Sequence, residues 1–418
     1  MLRSHGGGGR TLPSASLTRT SMTSSRRQRT HEQVLQVLAQ HGDLTRAELG
    51  RLTGLSRSAI ASAVTLLSDE GLLTEQTPVP AGTGARGRRP TVVALRRRPG
   101  VVLAIDFGHS HITAAIADTS GRLLAESSAA LDVDSQPQQA LDTATELAAQ
   151  ALARTGHTSG AITGIAAGIP GPLDIRTQAV RAPTILREWI GLNPAEELTR
   201  RFGQPVAIAN DADMGARGEH TFGAARRIDD FLYIKASHGI GAGLVLAGRT
   251  YRGSSGIAGE IGHTHLEGAT NLCRCGNRGC LETVVSITEV RRQLAHVLPT
   301  EHLSGQSGEA RGEPPSLTEL ASRPAAARVI TDAGRTLGLV LADLVNCLNP
   351  AAVILGGELS AAGEPLAEGV RESINRYAQP ASANAVTITT STLQQRSELL
   401  GAVATAIQQS AVGQVPSV

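Results

Sequence analysis

Three of the chain's four cysteines lie in the stretch CRCGNRGC, residues 273–280. With one upstream histidine they supply an imidazole and three thiols, the number and kind of ligands that a closed tetrahedral zinc site takes. The candidate ligands are His263, Cys273, Cys275 and Cys280. Gly276 and Gly279 would let the chain turn back so that the thiols converge. The pattern predicts one structural zinc ion per chain, and the alternative is a buried or redox-active cysteine cluster.

Two glutamates bracket the cysteines, Glu260 in GEIGH and Glu282 in CLE. A single acidic residue is usually solvated surface, and only their position beside the cysteines marks these two as site candidates. A zinc ion held by four protein ligands keeps no coordination position for water, so the pattern does not indicate metal-assisted hydrolysis. We expect the zinc ion to fix the loop that carries both glutamates.

The 418 residues of the chain are enough for about two to three domains. The sequence has no run of about 18 apolar residues, and its N-terminus lacks the apolar stretch of a secretory signal. We therefore expect a cytoplasmic protein with no membrane partner, in which clustered thiols indicate a metal site rather than disulfides. The remaining cysteine, Cys347, is expected to pack in the core.

Positive charge is concentrated at the front of the chain. The net charge is +2, but residues 1–100 hold 15 Arg and 6 Asp or Glu, which makes this part +9 and leaves −7 for the rest. Such a segment favours a polyanionic partner. The alternative is a solvated tail and a general use of Arg in place of Lys, since Lys235 is the only lysine. Residues 1–28 are predicted to be a disordered basic tail, or an overextended start upstream of Met22.

Residues 29–98 have the pattern of a winged helix-turn-helix domain that binds double-stranded DNA. Thr45 can cap a first helix, Gly54 allows a tight turn, and Ser56 can cap a second helix. The positions that would pack inward are Leu55, Ile60, Val64 and Leu67. The small polar face that would enter a major groove carries Arg57, Ser58 and Ser62.

Two short strands, GLLTE and TVVAL, would form the wing of this domain. Arginines at its tip could enter a minor groove or contact phosphates, and these are Arg86, Arg88 and Arg89. Short helical pairs also pack for purely structural reasons, but here the caps, the turn and the basic wing occur in one stretch. A helix-turn-helix protein usually reads a two-fold site as a dimer, so we expect an inverted-repeat operator and a nucleoid-associated protein.

The rest of the chain, residues 99–410, reads as a two-lobed α/β domain. A hairpin opens each half, VVLAIDFGHSHITAAIAD in the first and FLYIKASHGIGAGLVLAG in the second, and α/β segments follow both. Two such blocks indicate lobes of about 99–220 and 221–410 with a cleft between them. Residues 411–418 are predicted to be a second tail.

Eight motifs occur in a fixed order along this part: DFGHSH, PGPLD, RAPTILREWIG, NDAD, GIGAG, AGEIGH, CRCGNRGCLE and ILGGELS. On these motifs the chain resembles, from Thr30 to about Gln408, the ROK family of repressors, open reading frames and kinases. With its winged helix it is similar to the family's sugar-responsive transcriptional regulators. The resemblance implies an actin-like, hexokinase-type (ribonuclease H-like) fold with a sugar in the cleft, and a homodimer or homotetramer.

The resemblance also assigns a sugar site, made of Asn210, Asp211, Glu260, His263 and Glu282. The chemistry agrees, because carboxylates and amides can exchange hydrogen bonds with several hydroxyls in fixed directions. His263 could bind zinc through one ring nitrogen and present the other to a hydroxyl. The implied ligand is a hexose, an N-acetylhexosamine or a derivative.

The phosphate side departs from the family pattern. In a family kinase Asp211 would be the general base. The phosphate-binding positions would be Asp106, Gly108, Gly239, Gly241 and Gly243. Family kinases have Asp-x-Gly-Gly-Thr at the first of these loops, whereas this chain has His109 in place of the second glycine. The imidazole should crowd a phosphate and restrict the backbone.

Two functions remain open at this point. The first is a sugar-responsive DNA-binding regulator, expected to be a repressor of genes for carbohydrate metabolism or uptake, in which the kinase domain is degenerate. The alternative is an active sugar kinase that uses ATP and Mg²⁺ and carries a DNA-binding domain. The substitution at His109 favours the first function.

Overall fold

A computed structural model describes residues 29–31, 33–35, 37–38, 42–76, 91–96, 99–174, 176–180, 186–298 and 315–412. The chain divides into two compact units, one of Met1–Arg97 with Ala411–Val418 and one of Arg98–Ser410. The predicted N-terminal tail and the predicted wing-tip residues Arg86, Arg88 and Arg89 lie outside the described residues.

The first unit contains three helices and a small sheet in its described part. Helix α1 contributes residues 29–31, 33–35 and 37–38. The other elements are β1 (Leu44–Thr45), α2 (Arg46–Thr53), α3 (Arg57–Asp69), β2 (Leu73–Gln76) and β3 (Val92–Leu95). The strands pair antiparallel in the order β1-β3-β2. Buried side chains from all three helices and from β2 and β3 form one core.

Local sequence signals explain the helix-turn-helix part of this unit. Thr45 and Glu48 form a capping box, in which the Thr45 hydroxyl accepts the Glu48 N–H at 3.2 Å and a Glu48 carboxylate oxygen accepts the Thr45 N–H at 2.7 Å. Gly54 ends α2 with a φ of 69°, and the Ser56 hydroxyl caps α3. The predicted caps and turn are confirmed. Of the predicted inward positions, Ile60, Val64 and Leu67 are buried and Leu55 is half-buried.

The second unit begins with a five-stranded sheet. Its elements are β4 (Val101–Phe107), β5 (His111–Asp118), β6 (Leu123–Ala130), α4 (Pro137–Thr155), β7 (Ile162–Ile169), α5 (Pro194–Phe202), β8 (Val206–Asn210) and α6 (Asp211–Phe222). The strand order is β6-β5-β4-β7-β8. The three hairpin strands are antiparallel, whereas β7 and β8 run parallel to β4. Strand β4 is buried along its whole length because its two faces pack in two different cores.

A second sheet repeats this plan. Its elements are β9 (Phe231–Ala236), β10 (Ile240–Leu246), β11 (Arg249–Thr250), α7 (Glu282–Val285), α8 (Ile287–Val297), α9 (Leu317–Ala321), α10 (Pro324–Leu348), β12 (Ala352–Gly356), α11 (Glu364–Tyr377), α12 (Pro380–Ala385), β13 (Thr387–Thr390) and α13 (Ser397–Val412). The strand order is β11-β10-β9-β12-β13, again with an antiparallel hairpin followed by two parallel strands. The predicted pair of hairpin-plus-α/β blocks is therefore present. Across the described ranges, every helix is too short or too polar to traverse a bilayer.

The last helix corrects the sequence-based division of the lobes. Residues 221–410 were assigned to the second lobe, yet α13 packs against the first sheet. The residues of α13 in that core are Leu399, Ala402, Val403 and Ala406. Helix α13 also continues to Val412, so the predicted tail from residue 411 begins inside a helix. The apolar face of α13, near the end of the second unit, packs against the sheet at the start of that unit. The order of the sequence alone does not indicate this contact.

Glycines allow α13 to cross α6 at close range. A Cβ atom at Gly401 would lie 1.7 Å from the backbone oxygen of Met214, and one at Gly218 would lie 2.1 Å from the backbone oxygen of Ser397. Contacts this short with backbone atoms cannot be relieved by rotating a side chain. The crossing therefore depends on hydrogen in place of a side chain at both positions.

We expect Gly401→Ala to lower the free energy of unfolding by about 1–3 kcal/mol, because the two helices must separate to admit the methyl group. The matched control is Gly160→Ala, at an exposed position where the nearest atom to an added Cβ is 3.9 Å away. The control should change the free energy by less than about 0.5 kcal/mol. Urea unfolding of both variants measures this, and equal effects would contradict the packing argument.

Candidate functional site

A cleft opens between the two sheets of the second unit. It is lined by His109, Pro170, Gly171, Pro172, Asn210, Asp211, Lys235, Ser237, Gly239, Ile240, Gly241, Glu260, His263, Arg274 and Glu282. All five residues that the resemblance assigned to a sugar site lie on its wall. Of the assigned phosphate positions, Gly239 and Gly241 also line it.

The junction of β8 and α6 places Asn210 and Asp211 in the cleft. The Asn210 side-chain oxygen accepts the backbone N–H of Ala212 at 2.8 Å and so caps α6, while its amide nitrogen donates to the Gly171 oxygen at 3.0 Å. Asp211 is the first residue of the helix, and its Oδ1 accepts the same Ala212 N–H at 2.7 Å. Both side chains are thus oriented by the end of a helix, where the peptide dipoles favour a negative charge.

Lys235 faces Asp211 from the second sheet. Its Nζ donates to Asp211 Oδ2 at 2.5 Å, and the two side chains are only 14% and 10% exposed. Burial lowers the pKa of Lys235, but the negative charges of Asp211, Glu398 and Asp106 outweigh it and raise that pKa above its ordinary value. The lysine is therefore an ammonium ion throughout the physiological pH range.

Glu260 lies in the same cleft without a cation of its own beside it in the described contacts. Burial, together with the charges of Asp211 and Glu282, raises the pKa of Glu260 to about 7. The Glu260 Oε2 atom lies 3.8 Å from His263 Nε2. A carboxyl group with this pKa can both donate and accept hydrogen bonds near neutral pH.

The four candidate metal ligands converge beside the cleft. Their ligand atoms, from His263, Cys273, Cys275 and Cys280, all lie within 4.8 Å of one another. The closest approaches are 3.6 Å between His263 Nδ1 and Cys273 Sγ and 3.6 Å between the sulfurs of Cys275 and Cys280. One imidazole and three thiols form a donor set that suits zinc. The cluster is thus a possible metal site built from side chains that the sequence had singled out.

The thiol cluster is connected to the cleft through two side chains. His263 turns Nδ1 towards Cys273 and Nε2 towards Glu260, so its two ring nitrogens face the cluster and the cleft. The Cys273 thiol donates to Glu282 Oε1 at 3.0 Å. Burial raises the pKa of the Cys273 thiol, and a bound divalent cation would reverse this by stabilising the thiolate. Cys347 is exposed on α10, so its predicted role in core packing is wrong.

Charged side chains lie in the part of the cleft that the resemblance assigned to phosphate binding. His109 Nδ1 lies 2.7 Å from Asp134 Oδ1, and Arg274 Nη1 lies 3.4 Å from Asp134 Oδ2. A Cβ atom built at Gly239 would have Arg274, Glu282 and His109 as its nearest neighbours, at 3.5–3.7 Å. The side chains of Arg274 and His109 therefore lie beside Gly239, where an open glycine loop would leave room.

The two remaining glycines among the assigned phosphate positions have structural explanations. A Cβ at Gly243 would lie 2.3 Å from the Ala212 oxygen, so packing of β10 on α6 accounts for this glycine. A Cβ at Gly108 would meet the His111 ring at 2.2 Å. Asp106, the next-to-last residue of β4, is buried, and its Oδ2 atom lies 3.4 Å from His111 Nε2.

In the first unit, α3 presents the predicted DNA-facing residues to solvent. Arg57, Ser58 and Ser62 are exposed, on the side of the helix away from its buried residues. The cap and the buried face of α3 hold the helix in place, and the exposed face does not contribute to the core. The three wing arginines lie outside the described residues, and their position is not part of this geometry.

The family model described as ROK family matches residues 102–409, which is most of the chain. The chain belongs to the ROK family. A second model, the MarR family, matches residues 28–82 in the winged-helix unit. The fold is accordingly a MarR-type winged helix followed by a ROK domain of the actin-like, hexokinase type, as the sequence predicted.

Named relatives include both repressors and kinases. This ROK chain is 28% identical to a putative xylose repressor of Caldicellulosiruptor sp. (strain Rt8B.4), over 90% of this chain and 94% of that one. It is 28% identical to the DNA-binding transcriptional repressor Mlc of Escherichia coli (strain K12), over 88% and 90%. The crystal structure of a ROK family glucokinase from Streptomyces griseus, in complex with glucose and AMPPNP, has a TM-score of 0.64 and 28% identity over 73% of this chain and 99% of that one.

Sequence reasoning missed two charged residues of the ROK cleft, Lys235 and Arg274, and Asp134, which contacts its wall. Lys235 carried a usable signal, because the only lysine of the chain stands inside a strand whose other residues are buried. Arg274 lies between two candidate metal ligands, and Asp134 follows β6 at an unremarkable turn. Neither of these two could be connected with His109 before the fold was known.

Proposed function

We propose that this chain is a sugar-responsive DNA-binding transcriptional regulator, a repressor of genes for carbohydrate metabolism or uptake. The observation that carries the proposal is the presence, in one chain, of a winged-helix unit and a ROK cleft. The similarity to the two repressors supports it, because it extends over about nine tenths of this chain and so includes both parts. A regulator of this kind works on the chromosome, and we place it in the cytoplasm at the nucleoid.

The polar wall of the cleft supports a sugar as the effector. Three carboxyl groups, from Asp211, Glu260 and Glu282, line one cleft with the Asn210 amide and the His263 ring. A polyhydroxylated ring can satisfy all of these groups at once. We propose a hexose, an N-acetylhexosamine or a derivative, held through these five side chains.

On the DNA side, α3 supports base contacts in a major groove. The guanidinium of Arg57 and the hydroxyls of Ser58 and Ser62 are exposed on one helix and can hydrogen-bond base edges. We propose that Arg86, Arg88 and Arg89 contact phosphates or a minor groove, and that a homodimer or homotetramer binds an inverted repeat.

Two observations speak against efficient phosphoryl transfer. His109 fills the first phosphate loop and is held by Asp134, and Lys235 is bonded to the carboxylate that would act as general base. The similarity to a glucokinase keeps the kinase as the alternative function. We propose that the cleft binds sugar and does not turn over Mg²⁺ and ATP.

The cysteine cluster is proposed to hold one structural zinc ion per chain through His263, Cys273, Cys275 and Cys280. When bound, zinc would supply a fixed cross-link within the loop between Glu260 and Glu282. His263 and Glu282 would then be held in position to meet the ligand. The metal serves the sugar site by preorganisation.

Sugar and DNA should change each other's affinity by the same factor if they favour different states of the chain. We expect one sugar among glucose, xylose, N-acetylglucosamine and N-acetylmannosamine to shift the DNA dissociation constant by about tenfold, or about 1.4 kcal/mol. Fluorescence anisotropy on DNA from upstream of the chain's own gene, at one near-physiological salt concentration, measures this.

The controls for this experiment separate the two sites. Arg57→Ala should weaken DNA binding, whereas Arg328→Ala, which removes the same charge from an exposed position on α10, should not. Glu260→Gln should reduce the sugar shift and leave DNA binding in the absence of sugar unchanged. Tight DNA binding that no sugar alters would count against the sensor.

ATP turnover tests the alternative function. We expect far less than about one turnover per second with any of the same sugars, because ordinary enzymes reach about 1–1000 per second. A coupled assay for ADP measures the rate. Turnover in the ordinary range that disappears in Asp211→Asn would establish the kinase instead.

Metal analysis tests the zinc proposal. Protein purified without added zinc should contain about one zinc per chain, and Cys280→Ser should contain much less, since a closed site needs all four ligands. The matched control is Cys347→Ser, which removes the exposed cysteine on α10 and should retain the full zinc content. A wild-type content far below one equivalent would refute the site.

A further inference from the structure

The only lysine of the chain points into the cleft from a buried strand. Lys235 lies on β9, where the other residues are buried, and its ammonium group donates to Asp211 across the cleft. An ammonium ion is rarely placed in such surroundings unless charge requires it. Its three negative neighbours are Asp211, Asp106 and Glu398. The position therefore contains a cation near three carboxylates, which come from β4, α6 and α13.

Asp106 adds an independent observation. It is 6% exposed, and its Oδ1 atom is buried without a hydrogen-bond partner in the part of the chain that the structure describes. A Cβ atom built at Gly168 would lie 3.6 Å from Asp106 Oδ1 and 3.8 Å from the Asp211 Cα. Asp106, on β4, and Asp211, at the start of α6, thus lie on either side of Gly168.

Two carboxylates that meet in a partly buried cleft normally require a cation. Their oxygens are the ligands that Mg²⁺ and Mn²⁺ prefer in proteins. Here the ammonium group already supplies positive charge at that point, and its hydrogen bond occupies Asp211 Oδ2. A general base must have its carboxylate oxygen available to the hydroxyl proton that it removes.

We propose that Lys235 is a built-in counter-ion that takes the place of a divalent cation between Asp106 and Asp211. It holds Asp211 in an orientation that binds a ligand hydroxyl, and it excludes the metal ion that phosphate transfer would need. Lys235 is therefore a positioning residue. The inference rests on the proposed function in treating the cleft as a ligand site, but its test involves neither sugar nor DNA.

Manganese binding tests the proposal directly. Mn²⁺ is titrated into the full-length, untagged protein with its native metal content, and free Mn²⁺ is followed by electron paramagnetic resonance. Lys235→Met should bind one Mn²⁺ about tenfold or more tightly than the wild type, because Asp211 loses its bonded cation and Asp106 loses a nearby positive charge. The double variant Lys235→Met/Asp211→Asn should return to the wild-type affinity, and Lys235→Arg, which keeps the charge, should not gain.

Arg252→Met is the matched control. Arg252 donates to Asp213 Oδ2 at 2.7 Å, so the variant also removes the cation partner of an aspartate on α6, but outside the cleft lining. It should keep the wild-type Mn²⁺ affinity. Equal Mn²⁺ binding by wild type and Lys235→Met, an equal gain in Arg252→Met, or a gain that survives Asp211→Asn would each overturn the proposal.

A second measurement needs no variant and decides the matter if Lys235→Met does not fold. Lysine labelled with ¹³C at Cε gives one NMR signal, because the chain has one lysine. Mn²⁺ equimolar with the wild-type protein should leave this signal sharp, since the cation position is taken. Paramagnetic loss of the signal would mean that Mn²⁺ enters beside Lys235, and the proposal would be wrong.

Discussion

The packing of α6 fixes the geometry on which the rest of the second unit depends. The helix starts in the cleft at Asp211 and lies between the two sheets, with Met214 in the core of the first sheet and Ala216 in a core with Tyr233 of the second. Its approach to α13 is closer than any side chain would allow, because Gly218 and Gly401 face backbone atoms. A helix held this tightly cannot shift without disturbing both lobes. Its first turn is therefore a rigid support for Asp211.

The charges of the cleft follow from that support. Several carboxyl groups from different elements face one cavity. The carboxyl groups have different surroundings. Asp211 is paired with Lys235, Glu282 lies near Arg274, and the pKa of Glu260 rises to about 7. The cations inside the cleft support the proposed binding of hydroxyls over phosphate transfer.

The loop of the thiol cluster belongs to the same electrostatic arrangement. Arg274 stands between Cys273 and Cys275 and reaches both Glu282 and Asp134, so the loop that would hold zinc also contacts the opposite lobe. Asp134 in turn holds His109, the residue that departs from the kinase pattern. A movement of the loop would alter contacts on both sides of the cleft, because Arg274 and Asp134 each take part in two of these contacts. A ligand that enters between them meets a connected set of groups.

Much of this could be predicted from the sequence, and the limit has a physical cause. Some features depend only on residues a few positions apart and can therefore be predicted from the sequence. They are the helix caps at Thr45 and Ser56, the hairpins and the cysteine spacing. The five residues proposed for a sugar site came from motifs of a family, and the fold brings them to one cleft. The packing of α13 on the first sheet, the exposure of Cys347 and the bonds Lys235–Asp211 and His109–Asp134 were not predictable in this way. Each of these features depends on how the chain folds in space. The sequence by itself determined the local elements, the family and the candidate ligands, whereas only the tertiary structure decided which charges meet, because pairing of buried charges depends on distances that the chain order does not contain.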